Sequence, residues 1–295
     1  MKDISILIPT YNDRCNTLVE ALQRQASTLG ISYEIIVADD GSTDADVLSA
    51  NRSVNQLPCC RMVECPENRG RAAIRNFLAQ QARYPWLLFL DCDIAVDHPQ
   101  FLRNYAVSEG SDVVDGGVCI AKDERSLHAN LRYLYESKAA PRHSVQQRSL
   151  HPYHYFRTTN FMIARSIMLR HPFDERFRSY GYEDVIFGKT LQRHQISIQH
   201  IDNPVVLQNY ESNDRYILKT EESLRTLHQF QDELQGYSRL LDHVRILGPI
   251  APLIRLFHHL FGRCERHHLT GNHPTLRVFN LYRLGYFLSI PQSEL

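Results

Sequence analysis

The chain has 295 residues, which is enough for one large α/β domain or for a domain with a small appendage. Hydrophobic residues make up 43% and charged residues 22%, a globular composition that argues against disorder. Lysine plus arginine and aspartate plus glutamate are both 33, and this balance argues against nucleic acid as a partner.

The cysteines and the N-terminus predict where the protein works. Seven cysteines, an odd number with no C-x-x-C pair and with Cys59 next to Cys60, predict a reduced, cytoplasmic protein. The first apolar run spans only about five residues, and no apolar stretch reaches about 18, so neither a signal peptide nor a spanning helix is predicted. We therefore expect a protein that is soluble or lies on a membrane surface.

The first ninety residues alternate between apolar runs and helical patterns. Strands are predicted over 4–8, 33–38, 61–64 and 86–90, and helices over 17–29, 44–51 and 71–83. This alternation predicts a doubly wound parallel sheet with right-handed crossovers.

The pattern weakens after about residue 110. There the predicted strands cover 112–120, 159–165 and 196–201, the predicted helices cover 127–138, 166–170, 182–194 and 212–234, and residues 139–157 are predicted as a long loop.

Polar residues follow three of the predicted strands. They are Pro9-Thr10-Tyr11-Asn12, Asp39-Asp40 and Asp91-Cys92-Asp93. Because ligands of parallel α/β sheets bind at the carboxyl ends of the strands, we expect these clusters to meet at one binding site.

Asp91 and Asp93 stand one residue apart after a buried strand. In an extended segment alternate side chains share a face, so the two carboxylates could hold Mg²⁺ or Mn²⁺ on phosphates. A plain strand-end turn is the alternative. His200 is a candidate third metal ligand or a structural histidine.

Three further features each allow a structural and a functional interpretation. Asp39-Asp40 belongs to a turn in which Ser42 or Thr43 caps the next helix, or it accepts hydrogen bonds from a base or ribose. Arg71 opens a helix, or it pairs with a diphosphate. Glu183-Asp184 complements a helix dipole, or it supplies a general base.

Residues 236–295 change character. The segment 244–261 is apolar with interspersed arginines, and Pro249 and Pro252 should break its helix. A helical appendage packed on the catalytic domain and a membrane-contacting segment are both compatible with it.

Six motifs, in order, are SILIPTYN, IIVADDGSTD, ENRGRAAIRN, LLFLDCDI, RTTNFMIAR and FDERFRSYGYEDVIFG. Over roughly residues 3–230 the chain thereby resembles the family 2 glycosyltransferases of the GT-A fold. The resemblance implies an α/β, mostly parallel sheet with a C-terminal helical appendage. It implies a catalytic domain over 1–235, with a nucleotide-binding half (1–110) and an acceptor-binding half (111–235), followed by the appendage (236–295).

The resemblance also implies a donor site for a nucleotide-sugar, with UDP as the expected nucleotide, and a Mn²⁺ or Mg²⁺ cofactor. The implied nucleotide-sugar residues are Pro9, Thr10, Tyr11, Asp39, Asp40, Arg71, Asp91 and Cys92. Asp93, with Asp91, would hold the metal.

The YGYED segment looks like the acceptor motif of galactosyl- and chondroitin-type transferases. By that resemblance Asp184 is the base, Glu183 binds acceptor or donor sugar, and transfer inverts the anomeric centre. The implied acceptor is a saccharide or a lipid-linked glycan in surface polysaccharide synthesis, with the enzyme in the cytoplasm or peripheral on the inner face of the membrane.

One departure from the family concerns the metal. Relatives often carry a metal-binding His a few residues beyond the Asn-Pro pair, where this chain has Val205 to Asn209 with Leu207 and no His. Either His200 or water supplies the ligand, or metal binding is weaker.

Two alternatives remain. A sugar nucleotidyltransferase would begin with a glycine-rich loop after the first strand, and PTYND has no glycine. A non-catalytic nucleotide-sugar-binding protein of the same fold is disfavoured by the intact Asp91, Asp93 and Asp184, and is favoured by the missing His.

Overall fold

The computed structural model describes residues 1–121 and 125–291, so the last four residues of the predicted appendage lie outside the described part. The strands are β1 (Ile4–Thr10), β2 (Tyr33–Asp39), β3 (Cys60–Glu64), β4 (Trp86–Leu90), β5 (Ile94–Ala95), β6 (Val113–Asp115), β7 (Val118–Ile120), β8 (Asn160–Ala164), β9 (Ile198–His200) and β10 (Val205–Leu207). The α-helices are α1 (Asn16–Ala26), α2 (Ala45–Arg52), α3 (Arg71–Gln81), α4 (Phe101–Ala106), α5 (Leu131–Ala139), α6 (Val145–Leu150), α7 (Arg165–Arg170), α8 (Glu183–Arg193), α9 (Asn213–Gln229), α10 (Arg239–Ile246), α11 (Ala251–Thr270) and α12 (Leu276–Ser289).

The central sheet has seven strands in the order β3-β2-β1-β4-β8-β6-β9. β1 to β4 are mutually parallel, β8 runs antiparallel to both β4 and β6, and β6 is parallel to β9. The predicted mostly parallel sheet is thus confirmed. A second sheet of three strands has the order β5-β10-β7.

Both faces of the central sheet are buried, which explains the unbroken apolar runs of its strands. Ile6 and Leu88 belong to the core cluster on one face, which α1 covers with Leu18. Leu7 belongs to the cluster on the other face, which α3 covers with Leu78. Helices on both faces are the doubly wound arrangement that the sequence predicts.

The predicted strand over 112–120 is wrong in one respect. Gly116 and Gly117 interrupt it, and β6 and β7 on either side of them belong to different sheets. A Cβ on Gly116 would lie 2.3 Å from the Tyr105 hydroxyl, so only glycine fits at this break.

Other differences concern short or polar elements. The predicted loop over 139–157 contains α6, and the helix predicted over 212–234 ends at Gln229. The short elements β5, α4 and β10, together with α12, were not predicted. The expected break at the tail prolines is confirmed, because α10 ends at Ile246 and α11 begins at Ala251.

The chain forms two compact units. One contains Met1–Ala121, Pro141–Arg178 and Glu183–Asn209, and the other contains Lys122–Ala140, Ser179–Tyr182 and Tyr210–Leu295. The domain boundary near residue 235 stays a prediction, because compact units need not be separate folding domains. No helix among the described residues is long and apolar enough to cross a membrane.

Candidate active site

The ends of β1, β2 and β4 bring the three predicted polar clusters to one edge of the sheet. These strands are neighbours and parallel, with Thr10 in register with Asp39. The Asp40 amide donates to the Thr10 carbonyl at 2.8 Å. Pro9-Thr10-Tyr11, Asp39-Asp40 and Asp91-Cys92-Asp93 therefore share the carboxyl edge where a ligand would bind.

Asp39 is buried and organises the loop that follows β2. Its carboxylate accepts hydrogen bonds from the Ser42 amide at 2.8 Å and from the Ser42 hydroxyl. The predicted cap by Ser42 or Thr43 is wrong: Asp44 caps α2, accepting from the Asp46 and Val47 amides. Ser42 thus serves the site rather than the helix.

Asn12 joins this loop to the one after β1, a role that the sequence analysis missed. Its backbone amide donates to the Ser42 hydroxyl at 2.7 Å. Its side-chain oxygen accepts from the backbone amides of Thr43 and Asp44 at 2.8 and 3.0 Å. The backbone of Asn12 is left-handed, with φ of 50°, which asparagine tolerates better than most residues. Tyr11, beside it, is exposed.

Asp40 is buried and holds the start of α3. Its two carboxylate oxygens accept from the Arg69 amide at 2.8 Å and from the Gly70 amide at 3.0 Å. Burial raises the pKa of Asp40 above its ordinary value. Gly70 has φ of 88°, and a Cβ there would lie 2.7 Å from the Arg178 carbonyl oxygen. Asp40 therefore shapes the loop that presents Arg71.

A buried arginine, Arg75, links the two acidic clusters. Its Nη2 lies 2.7 Å from Asp91 Oδ1, and its Nη1 lies 3.4 Å from Glu183 Oε1. Arg75 is only 2% exposed, so these ion pairs are largely shielded from water. Arg71, one helical turn earlier and nearly half exposed, has Nη1 3.9 Å from the same Glu183 oxygen. Sequence analysis named Arg71 and missed Arg75.

Asp184 and Glu183 form the first turn of α8. Burial, followed by the charge of Glu183, raises the pKa of Asp184 to about 6, although Arg157 and Arg75 act in the opposite direction. Asp184 retains part of its accessible surface, whereas Glu183 is buried. A partly accessible carboxyl with a raised pKa has the properties of a general base near neutral pH.

Cys92 and the two aspartates beside it face different surroundings. The Cys92 side chain packs against the core cluster on the α1 face of the sheet, and burial raises its pKa well above the ordinary range. Only the backbone N–H and C=O groups of Cys92 are therefore left to serve the predicted donor site. Asp91 and Asp93 are both partly accessible.

The donor set of Asp91 and Asp93 fits a divalent cation that also binds phosphates. One oxygen of Asp91 is committed to Arg75 at 2.7 Å. Within residues 1–121 and 125–291, no group of three or more His, Cys, Asp or Glu side chains could hold a metal. Mg²⁺ characteristically binds one or two carboxylates together with substrate phosphates and water, so two aspartates suffice in the presence of a diphosphate.

The structure does not support His200 as the third ligand. β9 lies at the far edge of the sheet, separated from β4 by β8 and β6. The His200 Nδ1 lies 3.0 Å from Arg148 Nη1, and its Nε2 lies 3.0 Å from the Pro152 carbonyl. Both ring nitrogens are therefore occupied in a buried network away from Asp91 and Asp93.

That network fixes the end of β6, and it too was missed. Arg148 is buried and donates to Asp115 Oδ1 at 2.7 Å and to the Ile201 carbonyl at 2.9 Å. Asp115 Oδ2 also accepts from the Arg157 amide at 3.2 Å. The network thus holds the backbone of Arg157, whose positive charge lowers the pKa of Asp184.

Comparison with known proteins agrees with this geometry. The family model described as "Glycosyl transferase family 2" matches residues 5–173, more than half of the chain. The chain belongs to glycosyl transferase family 2. The matched segment contains every predicted donor residue, whereas Glu183 and Asp184 lie beyond it.

Two curated relatives of this family 2 chain are informative. It is 27% identical over 222 residues to a validoxylamine A glucosyltransferase of Streptomyces hygroscopicus subsp. jinggangensis, covering 65% of the chain and 52% of the relative. It is 27% identical over 227 residues to the chondroitin synthase of Escherichia coli, covering 64% of the chain and 32% of the relative. The chain thus spans about half or less of the length of these relatives.

Among solved structures, residues 1–349 of S. aureus TarS in complex with UDP-GlcNAc share the fold. The TM-score is 0.51 at 15% identity, covering 96% of this chain and 90% of that chain. This likeness confirms the predicted GT-A fold with its C-terminal helices. Nothing in these comparisons favours a nucleotidyltransferase or a non-catalytic binding protein.

Proposed function

We propose that this protein transfers a sugar from a nucleotide-diphosphate donor to an acceptor hydroxyl, with inversion at the anomeric carbon. The observation that carries the proposal is the chain of contacts from Asp91 through Arg75 to Glu183, next to Asp184. These contacts link the donor edge of the sheet to the first turn of α8, where the Asp184 carboxyl has a pKa of about 6. Family 2 membership supports the same reaction class.

Asp184 is the proposed general base. The acceptor oxygen forms a bond to the anomeric carbon while its proton passes to the Asp184 carboxylate. At the same time the bond between the anomeric carbon and the diphosphate oxygen breaks, and its electron pair leaves with the nucleoside diphosphate. A carboxyl with a pKa of about 6 is mostly ionised at neutral pH and is a stronger base than an ordinary aspartate.

Asp91 and Asp93 are the proposed residues that hold Mn²⁺ or Mg²⁺ on the donor. When bound, such a cation neutralises the charge that develops on the departing diphosphate. Arg71, at the start of α3, would pair with the same group. Asp39 and Asp40 act by holding the loops around the nucleoside, because their oxygens already accept hydrogen bonds from Ser42, Arg69 and Gly70.

UDP-sugars are the first donors to test, because TarS, which shares the fold, is known in complexes with UDP and with UDP-GlcNAc. A saccharide acceptor is supported by the name of the chondroitin synthase relative. A lipid-linked acceptor stays a prediction from the sequence. A reducing, cytoplasmic setting belongs to the same proposal, supported by seven cysteines that form no disulfide with one another.

The test is a panel of UDP-, GDP- and dTDP-sugars with Mn²⁺, assayed by calorimetric binding and by release of nucleoside diphosphate. We expect one donor to bind in a metal-dependent way, and Asp93→Ala to abolish that dependence. Absence of binding by every nucleotide-sugar, with the protein folded, would contradict the proposal.

A further inference from the structure

An exposed apolar surface lies on the second compact unit, the one that contains the helices after residue 210. Of the fourteen exposed large hydrophobic side chains among the described residues, seven fall within positions 246–261. They are Ile246, Ile250, Leu253, Leu256, Phe257, Leu260 and Phe261, and we call them the apolar stripe. Such a concentration of exposed apolar side chains is unusual for a surface that faces only water.

Five of the seven stripe residues occupy one face of α11, and Ile246 and Ile250 precede that helix. Leu253, Leu256, Phe257, Leu260 and Phe261 follow the i, i+3, i+4, i+7, i+8 spacing of a single helix face. The rings of Phe257 and Phe261 are in contact, with centroids 4.8 Å apart. Leu253 is 67% exposed and Leu260 is 62% exposed. Folding has therefore left this face without a partner inside the unit.

The other face of α11 is firmly packed, so the stripe cannot rotate inward. His258 contacts Tyr282, and a Cβ on Gly285 of α12 would lie 2.6 Å from the His258 Cβ. Leu269, near the end of α11, is buried with Phe279. The orientation of the stripe is thus fixed by the packing of α11 on α12.

The chain segment that carries most of the stripe has charge of one sign. From His243 to Cys264 the sequence contains no aspartate or glutamate, while it contains Arg245, Arg255 and Arg263. Arg255, His259 and Arg263 are four residues apart and form a row beside the stripe. A cavity of about 670 Å³ opens at this row, and its lining includes Arg255, Arg263 and Tyr286. Arg266 also lines it, but its charge is already paired with Asp214 and Glu221.

We propose that the apolar stripe and its row of basic residues bind the surface of an anionic phospholipid bilayer. An amphipathic helix with leucine and phenylalanine on one face and basic residues beside it lies in the headgroup region, with its apolar face toward the acyl chains. The arginines then face lipid phosphates, and the cavity is large enough for a headgroup.

A second copy of the chain fits this surface less well. A two-fold dimer through the stripe would place each row of basic residues near its own copy, because both partners use the same patch. The absence of acidic residues over positions 243–264 means that no ion pair within the patch would offset this repulsion. Charge complementarity therefore favours an anionic surface.

The test is co-sedimentation of the full chain with vesicles of equal parts phosphatidylcholine and phosphatidylglycerol, beside vesicles of phosphatidylcholine alone. We expect binding to the anionic vesicles that weakens as salt is raised. The double variant Leu253→Ser/Leu260→Ser should reduce binding by about tenfold or more. The matched control Leu150→Ser/Leu218→Ser changes two leucines of similar exposure outside the stripe and should leave binding unchanged.

The basic row is tested by Arg263→Gln, which should lower binding roughly fivefold. Equal binding to neutral vesicles, or equal losses in the stripe and control variants, would overturn the proposal. So would a dimer in sedimentation equilibrium that the stripe variant dissociates while vesicle binding is absent. No donor enters this assay, so it is decided independently of the proposed transfer reaction.

Discussion

Asp184 carries the proposed chemistry because of where its carboxyl lies. Burial and the neighbouring Glu183 raise its pKa from 3.8 to about 6. Between these two values the folded protein binds a proton that the unfolded chain releases, so this group stabilises the fold below about pH 4. That contribution is lost as pH rises through 6. Its basicity therefore comes at a cost in stability at neutral pH.

The variant Asp184→Asn separates these two effects. We expect kcat/KM for transfer to fall by about 10²- to 10⁴-fold, because a general base is lost, while donor affinity stays unchanged. We also expect the melting temperature of the variant, relative to the wild type, to rise between about pH 4 and about pH 6 and to level off above pH 7, since only the wild type must form a buried charge there. A relative melting temperature independent of pH would contradict the raised pKa.

The wild-type pH–rate profile provides a second check on the same group. We expect the acid limb of kcat/KM to have a midpoint near pH 6, because transfer needs the ionised carboxyl. A limb near pH 4 would indicate a carboxyl with an ordinary pKa as the base.

Arg75 and Arg71 offer a matched pair on one helix. Arg75→Ala should lower the free energy of unfolding by about 3–5 kcal/mol, because it leaves Asp91 and the buried Glu183 without their shared cation. Arg71→Ala, at a nearly half-exposed position, should change stability little and weaken donor binding. Denaturant unfolding and donor calorimetry check both. Similar stability losses in the two variants would contradict this assignment.

At the level of elements, the loops at the sheet edge are held by backbone contacts that only glycine permits. Gly70→Ala places a Cβ 2.7 Å from the Arg178 carbonyl oxygen, whereas Gly236→Ala meets no atom within 4 Å. Both glycines have positive φ, so both variants carry the cost of placing an alanine in a left-handed backbone conformation. We expect Gly70→Ala to be destabilised by about 1–3 kcal/mol more than Gly236→Ala, and to bind donor more weakly. Equal destabilisation in thermal unfolding would show that the contact is unimportant.

The strands that position the donor residues were predictable because both of their faces are buried. β1, β2 and β4 read as continuous apolar runs, and each ends in a polar cluster. β5 and β10 were not predicted because they have two and three residues, too few for a periodicity. β6 and β7 were merged because only Gly116 and Gly117 separate them, with the apolar residues Val114 and Val118 close on either side.

The missed site residues share a physical cause. Arg75 reaches Glu183 across 108 positions of sequence, and Arg148 reaches His200 across 52. In a single sequence such arginines look like ordinary solvated helix residues, because burial arises only from the packing of distant elements. The choice between a metal-ligating and a structural His200 stayed open for the same reason, since its partners Arg148 and Pro152 are not its neighbours in the chain.

At the level of the whole molecule, the helices after residue 210 form a packed unit rather than a loose tail. Leu131 and Ile217 are buried together with Leu269, Phe279 and Tyr282. A chain truncated after Gln235 would lose the last three and expose the first two. We therefore expect that truncated chain to melt at a markedly lower temperature or to aggregate. An unchanged melting temperature would support the boundary predicted near residue 235.

The central claim is that the chain transfers sugar with Asp184 as the base. The most direct measurement is the rate of sugar transfer by the wild type and by Asp184→Asn, at saturating concentrations of whichever nucleotide-sugar and divalent metal the binding panel identifies. We expect equal donor affinity in the two proteins and a transfer rate lower by at least about 10²-fold in the variant. Normal turnover by Asp184→Asn would contradict it and would place the base elsewhere.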